Sequence, residues 1–542
     1  MSIIFPYYLA VARWLIAACS VLLIFLWIKV LRSYRIPLPV LATLSNNNGI
    51  NIFITQKENI IGRTKSADIM LPLHDVSKKH AMLYFEYGHW VIAPIQGRVA
   101  VNLQNVTRPA RIEYGDRLTI CGQTMVFDFH YAEELSSKRP KSSVSMLLVL
   151  TFIQFLTASE VCLRFFDGLS PAVPACFGVL MLGQWIYYLF GMTNADFKFI
   201  AEIPILYLAN FGLAICCTTA PKLVLKQSIC FAAGFIAFLI FTFILKYRDT
   251  MIKIQHIVML FSVLLLYYTA FFGKVINSSR NWLAVGGVSF QPSELCKVAF
   301  VFCGGTTLYY LMKKPSRSIQ FYCYGILCMG ALAIMLDFGA VAIFFVGMLF
   351  ILALRLTSPV VIGGTAGAAA LGGALVMHIY PYIAKRFGVW LHAWSYANSS
   401  GYQQTRTMIA TASGGLLGVG CGNGYLNGIP AAETDLVFGI VAEEWGGIVA
   451  LTAVLCIAAL GLYAYHLSRR SNCMFYAILC SSCAVMMIFQ TALNVFGSVD
   501  LLPLTGVTFV FLSRGGTSVI AAMFMLSFIK ACELYGRQGE IS

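Results

Sequence analysis

The chain has 542 residues, 59% of them hydrophobic and only 11% charged. That balance excludes a large soluble enzyme, which carries about a quarter of its residues as charges, and marks a polytopic membrane protein. A formal net charge of +15 would point to nucleic acid in a soluble chain. Here the bases cluster between apolar spans, as the cytoplasmic flanks of membrane helices do, so no nucleic-acid partner is expected. The 17 cysteines are scattered through the spans and form no metal-type array of C-x-x-C pairs. They read as small apolar packing residues, and neither a metal site nor disulfides are expected.

In chain order, residues 8–30 read as one N-terminal transmembrane helix. Lys29, Arg32 and Arg35 follow it, the pattern of a retained anchor with its N-terminus outside rather than of a cleaved signal. From Arg32 to Arg139 period-two alternation replaces the apolar runs. Segments 51–55, 81–85, 89–93, 98–102, 117–120 and 124–129 read as short strands, divided at Gly62, Gly88, Gly97, Gly115-Asp116 and Gly122. They predict a β-sandwich over 45–130, cytoplasmic because bases flank it on both sides. Within it, Gly62-Arg63 and Ser77-Lys78-Lys79-His80 put a guanidinium, a hydroxyl and ammonium groups on neighbouring turns. Arg offers a fork of donors and Ser a short one, a combination suited to phosphate.

Lys138, Arg139 and Lys141 close this domain. Twelve apolar spans follow, at 143–165, 171–193, 197–218, 224–245, 251–272, 293–312, 320–336, 339–354, 358–378, 436–464, 472–495 and 509–530. Spans 320–336 and 339–354 are short and meet at Asp337, which predicts a sharp bend. Lys246 with Arg248, Lys313-Lys314 with Arg317, Arg355, Arg469-Arg470, and Lys530 with Arg537 all fall on the side of the sandwich, whereas Lys222 and Lys226 fall opposite. The predicted topology is thirteen helices, N-terminus outside and C-terminus inside.

Three long loops lie on the other side, at 274–295, 380–435 and 495–508. The middle one carries Lys385-Arg386, Gly401-Tyr402-Gln403 and the glycine run 414–424. Glycines at alternate positions permit positive φ and close backbone approach, which either a structural turn or a phosphate or sugar ligand would use. Asp435 ends this loop, so bases and a carboxylate meet there: an anionic substrate and a proton acceptor in one place. From 436 to 464 the chain reads as a single span that Asp435 caps, with Glu443 and Glu444 two turns inside. Acids at that depth are expensive, and pairing of one of them with a neighbouring Lys or Arg is expected.

Several of these motifs occur in a familiar order: Asn277 to Trp282, Phe290-Gln291-Pro292-Ser293-Glu294-Leu295, Asp337-x-Gly339, Gly401-Tyr402-Gln403, the glycine run, Thr434-Asp435-x-x-Phe438, Glu443-Glu444-x-Gly446, Pro503-x-Thr505-Gly506 and Ser513-x-Gly515-Gly516. Over them, from about 250 to 530, the chain resembles the SEDS family (shape, elongation, division and sporulation). These are polytopic glycosyltransferases that polymerise lipid II into peptidoglycan glycan strands. The resemblance implies a SEDS-like helical bundle over 251–530, with the membrane helices of 143–245 as additions. It implies Asp435, the acid after the Thr, as the catalytic residue, and Lys385, Arg386, Gln403, Trp282, Glu294, Asp337 and Ser513 as substrate-binding. It also implies a class B penicillin-binding protein as partner, in division, elongation or sporulation. No covalent cofactor is implied, although a divalent cation (Mg or Mn) is admitted beside the diphosphate. The chain departs from the family at Met335-Leu336 before Asp337, where Gln-Pro is usual, and at Asn281. It departs again at Arg514, where Ser-Tyr-Gly-Gly is usual.

Gly62-Arg63, Ile69-Met70-Leu71, Ser77 with His80, and Val99 to Asn102 resemble the forkhead-associated (FHA) domain, a reader of phosphothreonine peptides. The resemblance implies that Arg63 and Ser77 hold the phosphate while His80 braces the loop. Gln96-Gly97 stands where Asn-Gly is usual, and Leu103 replaces a closing glycine. Two other classes share parts of this pattern. One is a non-catalytic FHA-bearing scaffold for the division and cell-wall machinery; the other is a transporter or flippase of lipid-linked substrates. A transporter needs polar residues through both halves of the bundle, whereas here they gather on the outer side.

Overall fold

A computed structural model describes residues 4–536 except 34–39, 47–50, 57, 65–66, 87–88, 130–141, 167–169, 194–196, 277–278, 287, 310–316, 356–358 and 472. Arg35, Gly88, Lys138, Arg139, Lys141, Asn277, Lys313, Lys314 and Arg537, all named above, lie outside the described residues. The chain is a polytopic α-helical membrane protein in which one N-terminal helix, α1 (Ile4–Ser33), precedes a β-domain. It divides into two units, one helical and one built on the β-sheets.

The β-domain has eleven strands: β1 (Ala42–Asn46), β2 (Asn51–Ile54), β3 (Glu58–Gly62), β4 (Ile69–Met70), β5 (Ala81–Glu86), β6 (His89–Pro94), β7 (Val99–Val101), β8 (Gln104–Val106), β9 (Ala110–Ile112), β10 (Arg117–Ile120) and β11 (Gln123–Phe129). They form a six-stranded sheet in the order β2-β1-β11-β10-β7-β8 and a five-stranded sheet in the order β4-β3-β5-β6-β9. Alternation sends Leu44, Leu118, Ile120, Met125 and Phe127 inward from one sheet and Ile61, Leu83, Trp90 and Ile92 from the other, into one core. All six predicted strands are present. The five unpredicted ones are β1, β3, β4, β8 and β9, of two to five residues each.

The helical unit continues with α2 (Ser142–Arg164), α3 (Ala172–Gly191), α4 (Glu202–Thr219), α5 (Val224–Ile244), α6 (Arg248–Lys253) and α7 (Gln255–Phe272). Strands β12 (Lys274–Ile276), β13 (Ser279–Val285) and β14 (Val288–Phe290) come next, then α8 (Pro292–Tyr309), α9 (Arg317–Ile334), α10 (Phe338–Arg355), α11 (Pro359–Ile379), α12 (Pro381–Val389) and α13 (Tyr402–Gly414). The chain ends with α14 (Ala432–Asp435), α15 (Val437–Glu444), α16 (Gly447–Arg470), α17 (Met474–Ser498) and α18 (Gly516–Tyr535). Each of the thirteen predicted segments contains helix among the described residues. Among the described residues nine helices are long and apolar enough to cross a membrane, and two shorter apolar helices, Ser318–Ile334 and Phe338–Leu354, add to them. Those two meet in the predicted bend: Leu336 has φ +60°, and Asp337 Oδ1 caps α10 by accepting from the Ala340 amide at 3.1 Å.

Three expectations are corrected. The span predicted over 436–464 is two helices, α15 and α16, broken at Trp445 and Gly446. Gly446 has φ +90°, and a Cβ there would lie 2.3 Å from the Leu416 carbonyl oxygen, so only glycine fits the break. Asp435 is therefore not a helix cap: it closes the short α14, and Leu436 leads into α15 with no side-chain cap. The last span begins at Gly516 rather than 509, because residues 509–515 form a turn with Phe511 at φ +64°. The loop over 274–295 carries a three-stranded sheet in the order β12-β13-β14.

Candidate functional site

Asp435 lies among α17, the 504–507 segment, the 509–515 turn and α12. Asn494 of α17, itself 2% exposed, donates its amide to the Asp435 backbone oxygen at 3.0 Å and to the Val507 oxygen at 2.7 Å. Ser513 donates to the Thr434 oxygen at 2.6 Å while accepting from the Phe509 amide at 2.8 Å. Arg514 forms an ion pair with Glu433, and its own amide donates to the Glu433 oxygen at 3.0 Å. Gly506 has φ +69°, and a Cβ there would stand 3.3 Å from Asp435 Oδ2, so the bare glycine leaves the carboxylate its space. Arg386 on α12 donates to the Leu504 oxygen at 3.0 Å, which brings its charge to bear on Asp435. The Asp435 carboxylate is half-buried. Burial pushes its pKa up to about 6, against the pull of the Thr434 hydroxyl and the Arg386 charge and with a further push from Asp337.

Asp337 is held on the other wall of the same region. Its Oδ2 accepts from Asn281 Nδ2 at 3.0 Å and from Gln291 Nε2 at 3.5 Å. The Arg280 amide and the Ser279 hydroxyl donate to the Met335 oxygen at 3.0 and 3.1 Å, which ties β13 to the α9–α10 bend. Asn281, a departure from the family pattern, thus makes a specific bond to the acid it faces.

The glycine run does not present bare amides. Gly415, Gly418, Gly420 and Gly422 all have positive φ, and their stretch wraps the end of α15. The Val419 and Gly420 amides donate to the Glu443 and Glu444 carbonyl oxygens at 2.8 and 2.9 Å. Tyr425 and Leu426 donate their amides to the two Glu443 carboxylate oxygens at 2.9 and 3.0 Å, and Asn427 donates to Glu444 Oε1 at 2.7 Å. The predicted pairing of Glu443 or Glu444 with a Lys or Arg is therefore corrected. Backbone amides of a glycine-rich turn supply the positive end of the dipole instead. A break between two buried helices leaves carbonyls that must be satisfied, and this loop satisfies them.

The remaining predicted residues take varied places. Gln403 donates to the Pro430 oxygen at 2.9 Å and so braces the turn before α14. Glu294 lies in a buried ion pair with Lys297, whose Nζ also donates to Gln490 Oε1 at 2.6 Å, beside a cavity of about 20 Å³. Lys385 is exposed on α12, and Trp282 is half-buried on β13 opposite Lys274. Asn494 was not singled out from the sequence. Its place as a polar residue inside the apolar run of α17 is the signal that could have found it.

In the β-domain Arg63, Ser77 and His80 lie on neighbouring, hydrogen-bonded turns. Arg63 is exposed and donates to the His74 oxygen at 3.0 Å, and its amide donates to the Ser77 oxygen at 3.1 Å. The Ser77 hydroxyl donates to the Gln96 oxygen at 3.1 Å. The Ser77 amide donates to His80 Nδ1 at 3.2 Å, so the proton sits on Nε2, which faces the Arg98 oxygen at 3.0 Å. His80 is buried and links the Ser77 turn to the Arg98 backbone. Gly97 lies against its ring, where a Cβ would come within 2.0 Å of it, and a Cβ on Gly62 would lie 2.1 Å from the Lys78 oxygen.

Residues 207–537 match a family model described as cell cycle protein, FtsW, RodA and SpoVE, and residues 59–121 match the FHA domain model. A probable peptidoglycan glycosyltransferase FtsW of Tolumonas auensis is 30% identical over 269 residues, 47% of this chain and 69% of that one. Its counterpart from Nitrosococcus halophilus is 32% identical over 289 residues, 50% and 72% of the two chains. Among solved structures, a chain from work on polymerization and crosslinking by a peptidoglycan synthase complex superposes with a TM-score of 0.52. It is 22% identical and covers 62% of this chain and 97% of that one, a likeness of fold.

Proposed function

Because this chain belongs to the FtsW, RodA and SpoVE family and carries an N-terminal FHA domain, we propose that it polymerises peptidoglycan glycan strands from lipid II on the outer face of the membrane. The observation that carries the reading is Asp435: a half-buried carboxylate beside Gly506, with the Arg386 charge acting on it. Asp435 takes the proton of the 4-hydroxyl of an incoming lipid II. The freed oxygen bonds to the anomeric carbon of the growing chain, whose bond to undecaprenyl diphosphate breaks. Arg386 stands where it can offset the charge building on the leaving diphosphate. A divalent cation, Mg or Mn, fits as a companion of that diphosphate rather than of a protein cage. Such ions take most of their oxygens from phosphates and water, and among the described residues no group of three His, Cys, Asp or Glu could hold a metal.

The orientation that goes with this reading has the N-terminus outside and the FHA domain and C-terminus in the cytoplasm. There Arg63 and Ser77 bind a phosphothreonine protein. A class B penicillin-binding protein, which crosslinks what this chain polymerises, is the partner in the membrane. The test is gel-resolved glycan from labelled lipid II with the full chain in liposomes, the transpeptidase added and Mg or Mn titrated. A glycan ladder from wild type that vanishes in Asp435→Asn is the expected result. No glycan under any condition would return the chain to the scaffold reading. Calorimetry of the β-domain against a phosphothreonine peptide tests the grip: binding lost in Arg63→Ala supports it, and equal affinity for the unphosphorylated peptide sinks it.

A further inference from the structure

The stretch matched by the family model starts at residue 207, so α1, α2 and α3 precede it. Two of these helices nevertheless end on the glycine-rich loop. The start of α1 and the end of α2 are held in register by Tyr8 Oη and Ser159 Oγ, 2.6 Å apart. From these turns Arg13 donates to the Gly418 oxygen at 3.0 Å. Glu160 Oε1 accepts from the Cys421 amide at 3.2 Å, and Arg164 donates to Asn423 Oδ1 at 2.6 Å. The Phe165 ring would come within 2.9 Å of a Cβ on Gly422. Arg13 and Glu160 sit inside the apolar spans Tyr7–Arg32 and Val144–Arg164, and Glu160 is 2% exposed. Ionisable side chains at such depth need a job to offset their desolvation. Here both bind backbone groups of the same loop.

That loop in turn fixes α15. Its amides take the last carbonyls of α15, and Leu426, inside the same turn, would lie within 2.7 Å of a Cβ on Gly439. One residue, Leu436, separates α15 from Asp435. A continuous set of contacts therefore runs from α1 and α2 through the loop to the helix that follows the carboxylate.

We propose that Arg13, Glu160 and Arg164 are positioning residues: α1 and α2 clamp the glycine-rich loop, and the clamped loop sets where Asp435 stands. The proposal rests on the polymerase reading for its kinetic consequence, whereas the clamp itself is measurable without catalysis. None of the three touches Asp435, so their effect is one of placement, where an error of about 1 Å costs about 10²-fold in rate.

The test compares Arg13→Leu with Arg13→Lys and Glu160→Leu with Glu160→Gln in the full chain in detergent and liposomes. Lysine can still donate to the Gly418 oxygen, and glutamine can still accept from the Cys421 amide. In the leucine variants, amide hydrogen exchange over 415–426 should rise about tenfold to a hundredfold, the weight of a lost charged hydrogen bond, with α16, α17 and α18 unchanged. The kcat for glycan formation should fall by up to about 10²-fold with KM for lipid II little altered. The conservative variants should restore both. Unchanged loop exchange, or exchange raised evenly through the bundle, overturns the clamp. A loosened loop with wild-type kcat overturns the positioning role. Wild type that makes no glycan, with the loop responding as expected, overturns the polymerase reading and leaves the clamp standing.

Discussion

Asp435 owes its chemistry to its partial burial. A carboxylate with its pKa pushed up to about 6 holds a proton below that pH and can accept one only above it. The rate of glycan formation should therefore climb as pH rises through about 6 and level off beyond, the sign expected of a base whose pKa is raised. Asp435→Asn should lower the rate by about 10²–10⁴-fold and remove this limb, read from initial rates between pH 5 and 8. A wild-type profile flat across that window would argue against Asp435 as the base. In the β-domain, Leu103 occupies the left-handed region at φ +70° with 91% of its surface exposed. Together with Asn102 at φ +50° it makes the β7–β8 turn, a geometry in which glycine is free of strain. Leu103→Gly should stabilise the domain by about 1 kcal/mol, a rise of about 4–8 °C in Tm by thermal unfolding. A lower Tm would show that the exposed leucine makes a contact worth more than its strain.

At the scale of elements, the break between α15 and α16 is the decisive feature. It presents open carbonyls inside an apolar bundle, and the glycine-rich loop answers them with amides. Gly446 is where the two meet, 2.5 Å from the Gly418 nitrogen in terms of an added Cβ. Gly446→Ala meets both a positive φ and two pieces of backbone, so it should cost about 3 kcal/mol or more and deplete the protein from the membrane. Gly363→Ala on α11 is the control, since nothing stands within 4 Å of its added methyl. There the better helix propensity of alanine should leave expression and Tm unchanged or slightly raised. Fluorescence-detected size exclusion on both variants compares them; equal yields would mean that the break relaxes without loss.

For the whole molecule, the proposed orientation, with the β-domain in the cytoplasm and the 380–435 loop outside, rests on the basic flanks, all but Lys222 and Lys226 of which fall on one side. Cysteines placed at Asn105 and Asn398, in a background lacking the exposed Cys121 and Cys323, measure it with a membrane-impermeant thiol reagent on intact cells. Labelling at 398 and protection at 105 is expected. The opposite pattern would invert the bundle and move the lipid II chemistry to the wrong face.

Much of this protein is legible in its sequence because it depends on local pattern. Thirteen apolar runs, a stretch of period-two alternation and ordered loop motifs each follow from composition within a few turns of chain, and each of the thirteen runs contains helix among the described residues. Asp435, Asp337, Arg386, Arg63, Ser77 and His80 are singled out through the resemblance of their motifs to the SEDS and FHA families. What sequence cannot express is which distant groups satisfy one another. Glu443 and Glu444 read as acids in search of a cation, and only the folded chain offers them the amides of residues 422–426. The span over 436–464 reads as unbroken because hydropathy averages over the Trp445–Gly446 break, whose backbone geometry is fixed by a loop some thirty residues earlier. Asn494 and Arg13 look like stray polar residues in apolar helices until their partners, hundreds of positions away in the case of Arg13 and Gly418, come within 3.0 Å. Apolar burial is an additive property of each segment and is written along the chain, whereas satisfaction of a buried polar group is a property of pairs, and pairs exist only once the helices have packed.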